Sequence, residues 1–172
     1  MQYVFSALYG IAARKSIKLD DATMGIIGVG HVGSKVAAMA RHLGFNVLLC
    51  DPPREASEGS EKFCSLEYLL ANSQIVTLHV PLDETTRNMA DEDFFMLMPP
   101  GAIFINASRG EVVDDKALVN AIPKLGAIVI DTWNNEPNVN ADIVEMVDIA
   151  TPHIAGYSYQ GKQNGTASAV QS

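Results

Sequence analysis

The sequence predicts an α/β fold in which a doubly wound parallel sheet of about six strands carries helices on both faces. Short apolar runs rich in Val, Ile and Leu recur along the 172 residues without the polar alternation of a strand that is exposed on one face. Helical patterns separate these runs, as the crossover connections between parallel strands require. The 48% hydrophobic content is enough for the single core of one domain.

The first predicted element is a packing helix over Met1–Ala13 that ends near Arg14 and Lys15. Its apolar side chains, which recur at the spacing of one helical face, are Met1, Val4, Phe5, Leu8, Ile11 and Ala12. With fewer than about 18 apolar residues the segment is too short to span a membrane. It also lacks the basic residues that open a signal peptide. We therefore expect no membrane association.

Six apolar runs are predicted as strands that are buried on both faces. They are Thr23–Val29, Phe45–Cys50, Gln74–Val80, Gly101–Ala107, Gly126–Asp131 and Val147–Thr151. The helical patterns between them are Val32–Leu43, Ser65–Ala71, Asp91–Met98 and Asp114–Ile122. The polar stretch Ser57–Lys62 predicts a surface loop, Asn138 predicts a helix cap, and the residues from Ser158 onward predict a last helix.

The acidic composition argues against some classes of function. The net charge is −8 and the 12 Lys and Arg residues are scattered, whereas binding to a nucleic-acid backbone requires such residues to cluster. We therefore expect a small-molecule partner and no nucleic acid. Cys50 and Cys64 have neither CxxC nor Cys/His spacing, which predicts no structural metal and a reducing, cytoplasmic compartment.

A glycine motif, GVGHVG at residues 28–33, follows the first predicted strand and opens a predicted helix. In such a motif Gly28 permits a tight turn, Gly30 lets the backbone approach a pyrophosphate, and Gly33 lets the helix pack closely on the strand. The helix N-terminus offers N–H groups and a partial positive charge to the phosphates. The motif in this context predicts a Rossmann-type, dinucleotide-binding fold.

Asp51 closes the next predicted strand, about 20 residues after the motif, where a carboxylate can accept hydrogen bonds from the adenosine ribose. The same carboxylate repels a 2′-phosphate, which favours NAD over NADP. Arg54, shortly after it, could accommodate that phosphate. Asp51 could instead be a turn or capping residue, so its role stays open at this point.

Three segments that follow predicted strands carry groups suited to hydride transfer between a nicotinamide and a 2-hydroxy acid. Arg109 could hold a carboxylate bidentately, and His153 could exchange the hydroxyl proton because histidine titrates near neutrality. A carboxylate such as Glu136 on the other ring nitrogen would fix the tautomer. The alternatives are an exposed arginine that caps the next helix, a loop histidine and a solvent-facing glutamate.

Taken in order, GVGHVG, Asp51, NASRGEVVD, DTWNNEP and TPHIAG resemble the D-isomer-specific 2-hydroxyacid dehydrogenase family over nearly the whole chain. The resemblance implies that Arg109 orients the substrate, that His153 is the acid–base residue and that Glu136 is its carboxylate partner. It places Asp131 near the nicotinamide carboxamide. The implied NAD-binding residues are Gly28, Gly30, His31, Val32, Gly33, Asp51, Thr77, Ala107, Ser108, Asp131 and Gly156.

Two segments, LLCDPPR and HIAGYSYQGKQNGT, resemble the branch of the family that oxidises 4-phosphoerythronate to its 2-oxo acid in pyridoxal 5′-phosphate (vitamin B6) biosynthesis. This implies a phosphorylated 2-hydroxy acid as substrate, with Tyr157 in contact with it. The alternatives are a phosphoglycerate, glyoxylate or lactate type of dehydrogenase, or a non-catalytic NAD-sensing module.

The family also implies parts that this chain does not contain. Members have a substrate domain, and the resembled branch has a C-terminal part and forms homodimers. We therefore expect residues 1–172 to be an NAD-binding domain, with the leading helix of residues 1–20 at the domain junction. Without a second wall for the cleft, we expect the isolated chain to turn over little or nothing.

Overall fold

In the computed structural model of the protein, residues 1–156 are described, and all six of their strands are parallel. The strands are β1 Thr23–Ile27, β2 Asn46–Cys50, β3 Ile75–Leu78, β4 Ile103–Asn106, β5 Ala127–Ile130 and β6 Ile149–Ala150. Their order in the sheet is β2-β1-β3-β4-β5-β6. The predicted doubly wound α/β fold is confirmed, and each strand is slightly shorter than its apolar run because the run's ends enter loops.

Seven α-helices lie within the described residues, one before β1 and six in the connections between strands. They are α1 Gln2–Lys15, α2 His31–His42, α3 Pro52–Glu58, α4 Leu66–Asn72, α5 Glu92–Leu97, α6 Asp115–Ala121 and α7 Ala141–Met146, with short 3₁₀ helices at Ser60–Lys62 and Gly110–Val112. Side-chain caps explain several of the starting points, since an Asp, Asn or Ser oxygen accepts a first-turn N–H. The capping residues are Asp51, Ser65, Asp91, Asp114 and Asn140.

Two predictions about local structure were wrong. The predicted loop Ser57–Lys62 contains the end of α3 and a 3₁₀ helix, because Asp51 caps α3 and prolines occupy its first positions, where no N–H is needed. The cap of α7 is Asn140, whose side chain accepts the Asp142 N–H at 3.0 Å, and not Asn138. The predicted helix from Ser158 lies outside the described residues.

The core has two layers, one on each face of the sheet. On one face α1 and α2 cover β1, with Leu8 and Ile11 fully buried, so the predicted packing role of the first helix is confirmed. On the other face α4 to α7 enclose an aromatic cluster, in which the ring centroids of Phe95 and Phe104 lie 5.0 Å apart edge to face. No helix within residues 1–156 is long and apolar enough to cross a membrane.

Because every strand runs in the same direction, all their carboxyl ends meet at one edge of the sheet. The glycine motif follows β1, Asp51 follows β2, and the segments with Arg109, Glu136 and His153 follow β4, β5 and β6. Ligands of open α/β sheets bind at this edge. The fold therefore brings every predicted site segment within the described residues to one side of the molecule.

Candidate active site

The glycine loop between β1 and α2 leaves no room for a side chain at two of its three motif glycines. Gly28 has a φ of +83°, and a Cβ added there would lie 2.7 Å from the His79 backbone. A Cβ on Gly33 would lie 2.0 Å from the Gly28 carbonyl oxygen, whereas a Cβ on Gly30 would meet nothing within 4 Å. The chain itself thus requires two of the glycines, and the third faces open space.

That open space lies at the start of α2. Gly30 is the N-cap residue and no side chain bonds to this helix end, so the positive end of the dipole is available to an anion. His31 and Val32, in the first turn, are exposed, and the His31 Nε2 lies 2.9 Å from the Lys35 Nζ. The loop fits a pyrophosphate group, as the motif predicted.

Asp51 uses both carboxylate oxygens within the chain. Its Oδ2 accepts the Val29 N–H at 2.7 Å, and its Oδ1 accepts the Arg54 N–H at 3.0 Å. The capping role that the sequence left open is therefore present, and it fixes the carboxylate beside the glycine loop. Contact with the ribose stays a prediction, since a carboxylate has about four acceptor positions and two are used.

The Arg54 guanidinium is already paired. Its Nε and Nη2 donate to the two Glu58 carboxylate oxygens at 2.6 and 2.8 Å, and its Nη1 donates to the Val29 carbonyl. The group also stacks over the Phe63 ring at 5.7 Å. A 2′-phosphate at this position would have to displace Glu58, which favours NAD over NADP.

Behind the glycine loop, the buried Thr77 and the half-buried His79 form a pair. The Thr77 hydroxyl lies 3.1 Å from the His79 Nε2, and Thr77 is fully buried. Burial lowers the pKa of His79 to about 4, and the positive amino group of Met1 acts in the same direction. His79 is therefore neutral near pH 7. The contact of Thr77 with the adenosine side of NAD stays a prediction.

His153 and Glu136 are hydrogen bonded, as predicted for an acid–base pair. The His153 Nδ1 lies 2.8 Å from the Glu136 Oε2, and the Glu136 Oε1 accepts the Trp133 N–H at 2.8 Å. Since a carboxylate only accepts, Nδ1 carries the proton and Nε2 is left to react. Burial raises the pKa of Glu136, but the bonds from His153 and Trp133 and the charges of His153 and Arg109 outweigh it, so the pKa lies below its ordinary value.

Arg109 is exposed and lies just before a 3₁₀ helix, where its side chain makes no cap hydrogen bond. Its loop is held by Asn106, which accepts the Ser108 N–H at 3.0 Å and donates to the Arg109 carbonyl at 2.9 Å. Ser108 is buried and its hydroxyl also donates to Asn106, while Ala107 is half-buried. The guanidinium donates from Nη1 to the Ser108 carbonyl at 2.7 Å and lies close enough to Glu136 to affect its pKa.

Asp131, at the end of β5, organises the loop that carries His153. It is fully buried, and its carboxylate accepts the Thr151 hydroxyl at 2.5 Å and the N–H groups of Ile154 and Ala155 at 2.8 Å each. Its backbone carbonyl accepts the His153 N–H at 2.8 Å. These bonds hold His153 at a left-handed φ of +53°. Three of about four acceptor positions are used, so contact with a carboxamide stays a prediction.

Residues that the sequence reasoning missed complete this loop. The Trp133 indole N–H donates to the Thr151 carbonyl at 2.9 Å, and the Tyr3 hydroxyl lies 2.6 Å from the Thr151 hydroxyl oxygen. The one available signal was the position of Thr151 shortly before His153. Gly156 is exposed, and Tyr157 lies outside the described residues.

A cleft of about 380 Å³ opens beside the pair, within the size range of small-molecule sites. Glu136 and His153 line it together with the apolar side chains of Pro137, Val139 and Val144. Within residues 1–156, no group of three His, Cys, Asp or Glu side chains is arranged to hold a metal ion. The catalytic roles of Arg109, Glu136 and His153 stay predictions.

Comparisons with known proteins agree with this geometry. The family described as D-isomer specific 2-hydroxyacid dehydrogenase, NAD binding domain, matches residues 9–155. An erythronate-4-phosphate dehydrogenase from Proteus mirabilis is 46% identical over 172 residues, which cover 96% of this chain and 46% of that protein. One from Bacteroides fragilis is 44% identical over an alignment of 176 residues, and the alignment covers 99% of this chain and 51% of that protein.

The solved structures that resemble the chain include dehydrogenases. The structure of D-lactate dehydrogenase with NAD⁺ from Lactobacillus jensenii superposes with a TM-score of 0.77 at 29% identity, covering 91% of this chain and 53% of that one. The chain spans about half the length of these relatives. Its fold, glycine loop and matched residues agree that this chain belongs to the D-isomer-specific 2-hydroxyacid dehydrogenases, as their NAD-binding domain.

Proposed function

We propose that this chain is the NAD-binding and proton-transferring part of an enzyme that oxidises 4-phosphoerythronate, a D-2-hydroxy acid, to its 2-oxo acid. The observation that carries the reaction class is the Glu136–His153 pair at the carboxyl edge of the sheet, with Nε2 left to react. The substrate rests on the similarity to relatives named erythronate-4-phosphate dehydrogenase. A role in pyridoxal 5′-phosphate synthesis follows from the same resemblance.

In the proposed oxidation, the C2–H bond of the substrate breaks and its electron pair leaves as hydride. NAD, when bound at the glycine loop, would supply the acceptor for that hydride. The His153 Nε2 takes the hydroxyl proton as the C2–O bond becomes a carbonyl, and the imidazolium that forms is stabilised by the ionised Glu136. Arg109 binds the substrate carboxylate and polarises the developing carbonyl.

The edge that carries these groups is open within residues 1–156, and hydride transfer requires a second wall to align the reactants and exclude water. We propose that residues 1–172 form one NAD-binding domain. The segment 1–20 would then lie at the junction to a substrate domain, and the relatives, which are about twice as long, have enough residues for one. A homodimer in the cytoplasm is the corresponding proposal for the whole protein. It rests on the family resemblance and on the cysteine spacing.

The cofactor site is tested by titrating the purified chain with NADH and, in parallel, NADPH. Trp133 is the single tryptophan and lies beside the catalytic pair, so its fluorescence reports binding. We expect saturable binding that favours NADH, with a weaker preference in Asp51→Asn. Circular dichroism confirms that each variant is folded. A folded chain that binds neither nucleotide at millimolar concentration would contradict the proposal.

The catalytic role is tested in a chimera in which this chain replaces the matching segment of the Proteus mirabilis relative. We expect His153→Gln to lower kcat/KM for 4-phosphoerythronate by about 10²- to 10⁴-fold, the usual contribution of acid–base catalysis. The matched control is His42→Gln at the exposed end of α2, which should leave the rate unchanged. A folded chimera that binds NADH without turnover would favour the NAD-sensing alternative.

A further inference from the structure

A chain of side-chain hydrogen bonds links the first helix to the loop that carries His153. The Tyr3 hydroxyl, on α1, lies 2.6 Å from the Thr151 hydroxyl oxygen, although the two residues are 148 positions apart in the sequence. The Thr151 hydroxyl in turn lies 2.5 Å from the Asp131 Oδ1. The proposed reaction does not use Tyr3 or Thr151, so their contacts need a separate explanation.

The chemistry of the three groups determines which group donates in each of these hydrogen bonds. Every partner of the Asp131 carboxylate is a donor, as an ionised carboxylate requires. The Thr151 hydroxyl has one proton, which it donates to Asp131, so its oxygen can only accept from Tyr3. Tyr3 is therefore the donor that begins the chain. The hydrogen bond to an ionised group is the stronger of the two, and it polarises the one before it.

The environment keeps Tyr3 in the donor form. Burial raises the pKa of Tyr3, and the negative charge of Asp131 acts in the same direction against the opposing effect of the Thr151 hydrogen bond. The phenol therefore keeps its proton near pH 7. It can serve as a donor to Thr151 over the whole range in which histidine titrates.

The other end of the chain controls the His153 backbone. The Asp131 carboxylate accepts the N–H groups of Ile154 and Ala155, on the C-terminal side of His153, and the Asp131 carbonyl accepts the His153 N–H. His153 has the positive φ that L residues rarely adopt. Most of the bonds that hold this conformation end on Asp131, and the Thr151 carbonyl also accepts the His153 N–H at 3.1 Å and the Trp133 indole N–H at 2.9 Å.

We propose that Tyr3 is a positioning residue for His153, acting through Thr151 and Asp131. It holds Thr151 so that the carboxylate of Asp131 faces the Ile154 and Ala155 N–H groups, and the loop then presents the imidazole to Glu136. The importance of that presentation rests on the function proposed for His153. The first helix thus contributes to the geometry of the site as well as to the core.

The test compares Tyr3→Phe with Tyr9→Phe in the full chain. The control removes the same hydroxyl from the same helix, at a residue that is exposed and whose ring packs against Phe45. Amide hydrogen exchange is followed by NMR. In Tyr3→Phe we expect the Ile154 and Ala155 amides to exchange about tenfold faster, the effect of losing one modest hydrogen bond, with the β4 amides unchanged. Tyr9→Phe should change neither set.

A second pair of variants separates positioning from general packing. Thr151→Ser keeps the hydroxyl and should keep slow exchange, whereas Thr151→Val removes it at nearly the same volume and should match or exceed the effect of Tyr3→Phe. The ¹⁵N shifts of the His153 ring should move in Thr151→Val and Tyr3→Phe only, because the Nδ1–H bond to Glu136 loosens. Equal exchange in the two tyrosine variants, or uniform acceleration of all core amides, would overturn the proposal.

NADH titration of the same proteins keeps the two proposals apart. If the unmodified chain fails to bind NADH, the proposed function fails, while the exchange data still decide whether Tyr3 holds the His153 loop. If NADH binds and exchange at Ile154 and Ala155 is indifferent to Tyr3, the positioning role alone is refuted.

Discussion

The glycine loop and the His153 loop lie at the same edge of one sheet but are built in opposite ways. The glycine loop is defined by excluded volume, because a Cβ on Gly33 would lie 2.0 Å from a backbone oxygen. The His153 loop is defined by polar bonds, most of which end on the buried Asp131, and by a partly exposed pair with Glu136. Hydrogen bonds at Val29 also support the glycine loop, but close packing of its backbone is what distinguishes it from the His153 loop.

This difference predicts how each loop responds to change. Close-packed backbone has no room to relax, so added volume in the glycine loop should destabilise the whole domain. Polar side chains on an open edge can be replaced at small cost in stability while their chemistry changes. Substitutions that pack into the glycine loop should therefore weaken cofactor binding and stability together. Substitutions of the exposed Glu136–His153 pair should change proton transfer with little effect on stability.

The largest expected effect is that of Gly33→Ala. The methyl group would overlap the Gly28 carbonyl, and relief requires α2 to shift away from β1, so we expect the unfolding free energy to fall by about 3 kcal/mol. NADH binding should be lost with it. Urea denaturation measures the first and fluorescence titration the second. Gly30→Ala is the control for stability, since its methyl meets nothing within 4 Å, and a similar fall in its unfolding free energy would refute the packing account.

Acid pH should weaken the region behind the glycine loop. The pKa of His79 is about 4 in the folded chain and near 6.5 when unfolded, so the unfolded state binds more protons between these values. His79 therefore contributes stability that is complete above pH 6.5 and is lost as the pH falls toward 4, by up to about 3 kcal/mol. Urea denaturation at several pH values should show this slope, flatter in His79→Asn and unchanged in His42→Asn.

Glu136→Gln should affect chemistry far more than stability. The pair is partly exposed, so we expect the unfolding free energy to change by less than about 1 kcal/mol. Neutral His153 should lose its preference for the Nδ1–H tautomer, which ¹⁵N NMR of the imidazole reports. Glu58→Gln, which disrupts another carboxylate ion pair, should leave that spectrum as it is. A fall of several kcal/mol in the unfolding free energy of Glu136→Gln would contradict the proposed difference in stability between the two loops.

The smallest expected effect concerns cofactor choice. Glu58→Gln weakens the exposed ion pair with Arg54, which water and salt already screen. NADPH should then bind about twofold more tightly, since Glu58 no longer competes with the phosphate for Arg54, with NADH unchanged. Parallel titrations measure the ratio. Glu61→Gln changes the charge nearby without touching that pair, and an equal gain there would point to net charge alone.

Much of the fold could be predicted because its signals are local. Apolar runs identify buried strands, and the glycine spacing identifies the turn between β1 and α2. Helix α3 escaped because it has no buried residue and therefore no apolar periodicity. The cap of α7 was misplaced because Asn138 and Asn140 have the same capping chemistry, and only the backbone conformation distinguishes them.

The groups proposed as catalytic could be picked out one by one, but the bonds that hold them in place were harder to predict. Arg109, Glu136 and His153 follow strands whose carboxyl ends must meet, which suffices to bring them together. The contact between Tyr3 and Thr151 depends on how α1 packs across the finished sheet, and no spacing in the sequence encodes it. The hydrogen bonds of Asp131 to the Ile154 and Ala155 backbone were likewise invisible, because the residue's identity says nothing about its partners.

The two loops that follow β4 and β5 touch without clearance. A Cβ on Gly110 would lie 2.0 Å from the Trp133 carbonyl group, so the segment that carries Arg109 rests directly on the segment that carries Glu136. The segments that carry Arg109, proposed to bind the substrate, and Glu136, proposed to orient the proton acceptor, are therefore packed together as one unit. A new substrate cannot be accommodated by sliding the arginine segment alone, and redesign of specificity must rebuild both loops together.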